Sequence, residues 1–166
     1  MSTVISRLER ISLFAHLKTD KTALEKIAAL IKTRSYPPKS FIIHEGEQGN
    51  TMYILNRGAV RVEKKTLSKD KFTVVNLKDD MNVFFGEMAL MDDDVRSASV
   101  YAVTAVECYE IRKTDFERLC EANPKIGYYV VREIAKSLAG RLRKTTADSA
   151  TLITALIHAD DTMGTF

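Results

Sequence analysis

One continuous stretch, FFGEMALMDDDVRSASV from Phe84 to Val100, carries a glycine followed by an acid at Gly86 and Glu87, and an arginine followed by a serine at Arg96 and Ser97. Gly86 has no side chain, so the backbone of the turn from Phe85 to Leu90 can come close to another group. Successive N–H groups opening a single helical turn form an anion cradle, with the positive ends of the peptide dipoles aimed at the ligand. Glu87, fixed in that cradle, can accept hydrogen bonds from a pair of hydroxyls. The planar fork of Arg96 suits a phosphate better than an ammonium would. A cradle, a hydroxyl acceptor and a phosphate-matching cation together describe a pocket for a ribose phosphate. The competing reading, a surface pair between Arg96 and Asp93 or Asp94, is worth little energetically and leaves the glycine and acid unexplained.

Other chemistries find less support. His16, His44 and His158 are scattered and form no HxH pair, so no metal site of the kind found in jelly-roll enzymes is expected. Cys108 and Cys120 lie twelve residues apart without a CxxC pattern, and read as buried thiols in a reducing compartment. Neither cysteine has a recognisable base, and no G-x-S-x-G serine is present, so no catalytic apparatus is expected. The 166 residues carry a formal charge of +3 from 25 basic and 22 acidic side chains, a balance that neither demands nor excludes a polyanion. No apolar run approaches the roughly 18 residues of a membrane span, and the N-terminus MSTVISRLER is too charged for a signal peptide. A cytoplasmic location follows as the expectation.

The elements that must position the Gly86–Ser97 stretch can be read from periodicity. TALEKIAALIK from Thr22 offers a capping-box pattern, Thr22 with Glu25, ahead of apolar residues in helical spacing. Pro37 and Pro38 then break the helical N-terminus. Between Lys39 and Ile111, short runs rich in valine, isoleucine, phenylalanine and tyrosine (SFIIHEG, TMYILNRG, AVRVEKK, FTVVNLK, ASVYAV, VECYEI) recur at intervals of about ten residues, as strands of an antiparallel sandwich or barrel do. Helical spacing returns in KTDFERLCEANP, stops at Pro124, and resumes from Lys125 to about Lys144 with Ile126, Val130, Ile134, Leu138 and Leu142 stepping by four. In the tail, Leu152, Ile153, Leu156 and Ile157 add a further apolar face, either a frayed end or a meeting point for a second subunit. The basic residues Arg132, Lys136, Arg141, Arg143 and Lys144 of the last helix read as a solvated face.

FGEMALMDDDVRSASV closely resembles the phosphate-binding cassette of cyclic-nucleotide-binding domains, and IIHEGEQGNTMYILNRGAVRV, with Gly46, Gly49 and Gly58, resembles the same family's paired strands and turns. The likeness spans roughly Phe14 to Leu142. It implies a mainly β fold with flanking helices, a double-stranded β-helix or jelly roll, organised as one domain. N-terminal helices would cover 1–36, the jelly roll 37–112 with its cassette at 85–99, and C-terminal lid or dimer helices and tail 113–166. It further implies that Phe85, Gly86, Glu87, Met88 and Ala89 line the cradle and that Glu87 takes the ribose 2′-hydroxyl. Arg96 would pair the exocyclic phosphate oxygens, while Ser97 and the backbone of Ala98 complete the phosphate shell. The sequence departs from the family's pattern at Val95, where a proline is frequent, and at Asp79 to Asn82, where a glycine is. Asp92, Asp93 and Asp94 are expected to face water, because a loop between two anchors has a surface side.

The implied function is a non-catalytic sensor that binds cAMP in preference to cGMP and signals through its C-terminal helix to an unidentified protein partner. It would need no cofactor or metal and act as a homodimer. About twenty residues after the long helix are too few for a winged helix-turn-helix, so no DNA binding by the chain on its own is expected, and no membrane association. The alternative is the same fold without nucleotide, acting as a constitutive dimerisation or docking module. Tyr128, Tyr129, Arg132 and Lys136 are candidates for base contacts.

Overall fold

The computed structural model of the chain describes residues 2–66, 68 and 70–163; Met1, Leu67, Lys69 and residues 164–166, which fall within the expected segments, lie outside the described residues. Two compact units divide it, Met1–Val130 and Val131–Phe166.

The first unit opens with helix α1 (Ser2–Leu8), a 3-10 segment (Ser12–Leu17) and helix α2 (Lys21–Leu30). Asp20, not Thr22, caps α2: its carboxylate accepts the Ala23 N–H at 3.0 Å, and Thr22 already lies inside the helix. The backbone turns extended at Ile31, ψ 130, and leads directly into strand β1 (Lys32–Tyr36). A strand therefore occupies the end of the region expected to be helical. KTRSY shows no alternation, since four of its five residues are exposed; antiparallel pairing with β8 (Val106–Arg112) is what makes it a strand.

The apolar runs of the sequence form β2 (Phe41–Ile43), β3 (Thr51–Arg57), β4 (Ala59–Lys65), β5 (Lys71–Lys78) and β7 (Ser99–Ala102), and a further two-residue strand, β6 (Phe84–Phe85), lies outside those runs. They form two four-stranded antiparallel sheets, ordered β1-β8-β3-β6 and β2-β7-β4-β5. The fold is thus two antiparallel β sheets with flanking helices, as the sequence implied, but helix occupies more of the chain than strand because the C-terminal helix alone runs 40 residues. Alternation sends Tyr53, Leu55, Val60, Phe85, Val100, Ala102, Val106 and Cys108 into the core. Burial pushes the Cys108 thiol up to about 12, so it is a neutral packing residue and not a nucleophile at ordinary pH.

Arg7 of α1 ties the helical N-terminus to the sheet. Its guanidinium donates to the Leu55 and Asp79 carbonyls, both at 2.5 Å, and to Asn82 Oδ1 at 2.9 Å. Those acceptors flank the chain that enters β6, so the N-terminal helix braces the approach to the glycine–acid turn. Helix α3 (Lys113–Ala122) follows β8, and Pro124 begins α4 (Pro124–Met163), a position where its missing N–H costs nothing.

The second unit is the continuation of α4, which is longer than expected: 40 residues in all, ending at Met163 and not near Lys144. Within it Leu142, Leu152, Ile153, Leu156 and Ile157 are all exposed. No helix among the described residues is long and apolar enough to cross a membrane.

Candidate functional site

The glycine–acid turn is launched by β6. Phe85 pairs with Tyr53 and Phe84 with Ile54, which fixes the direction in which the chain leaves the sheet. Phe85 itself is 6% exposed and its ring stacks on Tyr53 with centroids 5.4 Å apart. It was expected to line the pocket; its side chain is instead part of the core, because strand pairing turns it inward. Gly86 then adopts φ +72, the left-handed region that side chains avoid, and a Cβ there would lie 2.9 Å from Arg96 Nη1. The reversal opens a 3-10 turn, Glu87–Leu90. Glu87 is 2% exposed, Ala89 and Leu90 are buried, and Met88 is exposed. The N–H groups that open such a turn have no acceptor within it, which is the donor array an anion needs.

Arg96 reaches this turn from the far end of the loop. The chain around it is pinned by Gly46 N to Arg96 O and by Arg96 N to Glu47 O, both 2.9 Å, and by an antiparallel bridge between Gln48 and Val95. Its guanidinium donates from Nη1 to the Gly86 carbonyl at 3.2 Å and from Nη2 to the Thr51 carbonyl at 2.8 Å. Those contacts aim the fork at the start of the turn. Half-buried, Arg96 has its pKa lowered from the ordinary value by desolvation, opposed by Tyr53 and by the Glu87 carboxylate. The guanidinium remains a cation. The result is a fixed positive charge beside a buried acid and a row of turn amides.

Gly49 makes room for it. A Cβ at Gly49 would sit 2.1 Å from Arg96 Nε, so any side chain there displaces the arginine. EGEQGN signals a turn in the sequence, but its contact with Arg96 depends on folding. Thr51, whose carbonyl holds Arg96, carries no sequence signal at all, because it acts through its backbone.

The other expected residues are distributed around this centre. Ser97 is exposed, with its hydroxyl 3.8 Å from Met88 Sδ, which brings both to the same rim. Ala98 is half-buried. Ser99, not singled out beforehand, is buried and accepts the Glu45 N–H at 3.0 Å, closing the loop behind the arginine. The three aspartates face water: Asp93 pairs with Lys113 Nζ at 2.6 Å, Lys113 also donates to the Asp92 carbonyl at 3.0 Å, and Asp94 accepts the Val95 N–H at 2.7 Å. Asp93 thus meets Lys113 and raises its pKa above the ordinary value. The acid run is tied down on the exposed side of the loop, where Lys113 compensates its charge and it is not set against an incoming anion. Among the described residues no group of three or more histidines, cysteines and acids is placed to hold a metal.

Of the base-contact candidates, Tyr128 is 61% exposed and Tyr129 stacks on His16 with centroids 5.2 Å apart. Lys136 pairs with Glu133 at 2.6 Å.

Comparison with known proteins decides the family, since the profile of the cyclic nucleotide-binding domain matches residues 33–123. The chain belongs to the cyclic nucleotide-binding domain family. This domain is 33% identical over 142 residues to human cGMP-dependent protein kinase 2, covering 85% of the chain and 17% of the kinase. It is 34% identical over 112 residues to the cAMP-activated global transcriptional regulator CRP of Haemophilus influenzae, covering 67% of the chain and 49% of the regulator. The crystal structure of Thermus thermophilus catabolite activator protein superposes with a TM-score of 0.74 at 28% identity, covering 84% of the chain and 62% of that structure. The domain spans about a sixth of the kinase and half of the regulator. Its matched segment contains both the glycine–acid turn and Arg96.

Proposed function

We propose that this domain binds a cyclic nucleotide at the Gly86–Ser97 loop without turning it over, and that it is a sensor that prefers cAMP to cGMP. The observation that carries the reading is Arg96. A half-buried guanidinium is held by the Gly86 and Thr51 carbonyls beside the Glu87 carboxylate, a pairing that suits a phosphate joined to a ribose. In this role the turn amides and Arg96 take the phosphate oxygens, Glu87 accepts from the ribose hydroxyl, and Ser97 and Ala98 close the rim. Similarity to a cAMP-activated regulator supports cAMP; similarity to a cGMP-dependent kinase makes cGMP the competitor.

Occupancy passes, in this proposal, through Lys113. It joins the outer side of the loop to the first residue of α3, which leads into α4. A ligand that favours one arrangement of loop and helix shifts the population toward it. The exposed leucines at 142, 152 and 156 give α4 an apolar face for a second copy or for the protein partner.

Calorimetric titration of the nucleotide-stripped protein with cAMP and cGMP, in wild type and Arg96→Ala, tests this. Saturable binding with cAMP the tighter ligand, weakened about a hundredfold by loss of a charge-assisted bidentate contact, is the expected result. A folded wild type that binds neither nucleotide would leave the ligand-free docking module in its place.

A further inference from the structure

We propose that the outer edge of β5 docks an extended, acidic segment of a partner protein, which adds as a further strand to the β2-β7-β4-β5 sheet. β5 is the terminal strand of that sheet. Among the described residues it is also the longest edge strand, at eight residues against five for β1, three for β2 and two for β6. Proteins ordinarily keep such edges short, because a row of unpaired N–H and C=O groups recruits another chain.

The side chains favour recruitment over protection. Phe72, Val74 and Val75 are 49%, 52% and 39% exposed, three apolar groups on one edge strand. Pairing with β4 sets Leu77 opposite Val60 and Val75 opposite Val62, so this face begins in the core and runs out past it; Phe72, opposite Lys64, continues it beyond the bulge. An incoming strand would cover Phe72 and Val75 with apolar side chains of its own.

Charge identifies the occupant. KFTVVNLK holds a lysine at each end and no acid. On the neighbouring β4, Glu63 is taken by Arg61 at 2.6 Å and Glu45 accepts the Lys65 N–H at 2.9 Å, so both nearby acids are engaged while Lys64 and Lys65 stay exposed beside β5. Asp70 and Asp80 lie outside the strand, and Asp79 is engaged by the Gly58 N–H at 2.9 Å. A strand with acids at its ends and apolar residues between them matches this edge. A second copy of β5 does not: full-length antiparallel self-pairing places Lys71 opposite Lys78 twice, a like-charge contact at both ends. This edge is separate from the Arg96 loop, so the inference stands or falls apart from nucleotide binding.

Hydrogen exchange of the full chain, with and without a synthetic peptide of sequence EVTVVTIE at millimolar concentration, reads strand addition directly. The expected result is slowed exchange confined to β5 and its neighbour β4, present also in Arg96→Ala. A peptide with lysine in place of each glutamate should bind about tenfold more weakly or worse, as should the acidic peptide with Val74→Glu, whose side chain lies outside the core. Equal binding of the two peptides, or no protection of β5, overturns the proposal. So does self-association lost in Val74→Glu, which would make the occupant a second copy. Binding to phosphatidylserine vesicles in place of the peptide would make it a lipid surface and would equally overturn it.

Discussion

The loop that carries the site has two consecutive arms of opposite character. In the first, Phe85 to Leu90, four of six residues are buried; in the second, Met91 to Val95, every residue is exposed. The first arm is over-determined: strand pairing sets Phe85, the left-handed turn at Gly86 sets the reversal, and core packing holds Ala89 and Leu90. The second is tethered through Lys113 and through the return of the chain at Arg96. A binding site needs its donors preorganised, and rigidity comes from packing. The groups suited to a ligand accordingly belong to the packed arm or to the anchored arginine, while the acid run sits in the exposed arm.

That difference can be broken from the packed side first. Phe85→Ala removes a buried aromatic ring and should destabilise the first unit by about 3 kcal/mol or more in denaturant unfolding; a loss below about 1 kcal/mol would mean that the packed arm is not packed. Next comes Gly49→Ala, which drives a methyl into Arg96 and should lower nucleotide affinity by about tenfold to a hundredfold with a smaller change in stability. Wild-type titration behaviour in that variant would show that the arginine holds the ligand from another position. Glu87→Gln sharpens the comparison chemically. We expect several-fold weaker binding of the ribose nucleotide and little change for its 2′-deoxy analogue, and equal losses for both would remove the hydroxyl role. The smallest effect belongs to the exposed arm: Asp93→Asn should change affinity by less than about twofold, and a larger loss would show that the tether to Lys113 shapes the pocket.

Much of this was legible in advance where local pattern and tertiary role coincide. The runs around Met52, Val60, Val100 and Cys108 are rich in apolar and β-branched residues because much of each is buried, Met52 to Leu55 without a break, and the exposed run around Val75 shares that composition, so the strands announce themselves. Gly86, Glu87 and Arg96 stand out because one short stretch supplies a tight turn, a carboxylate and a planar cation together. β1 was hidden because its residues are exposed and its strand character is borrowed from β8. Phe85 was misplaced because adjacency to Gly86 suggests the pocket, whereas the side chain follows the pairing of β6 with Tyr53. The cap at Asp20 was missed because a capping pattern can be written two residues too late when the entry of the chain is unknown.

By itself, then, the sequence determined the antiparallel class, the glycine–acid turn, the arginine that answers it and the helical ends, all of which are properties of neighbours along the chain. Tertiary structure alone decided that Gly49 clears the path of Arg96, that the Thr51 carbonyl holds it, that Arg7 braces the approach to β6 and that Lys113 holds the aspartates on the outer side. The physical reason is common to all four. Each is a contact between residues far apart in the chain, made by a backbone carbonyl, a missing side chain or a long flexible cation, and none leaves a periodic or compositional trace before the sheets bring its partners together.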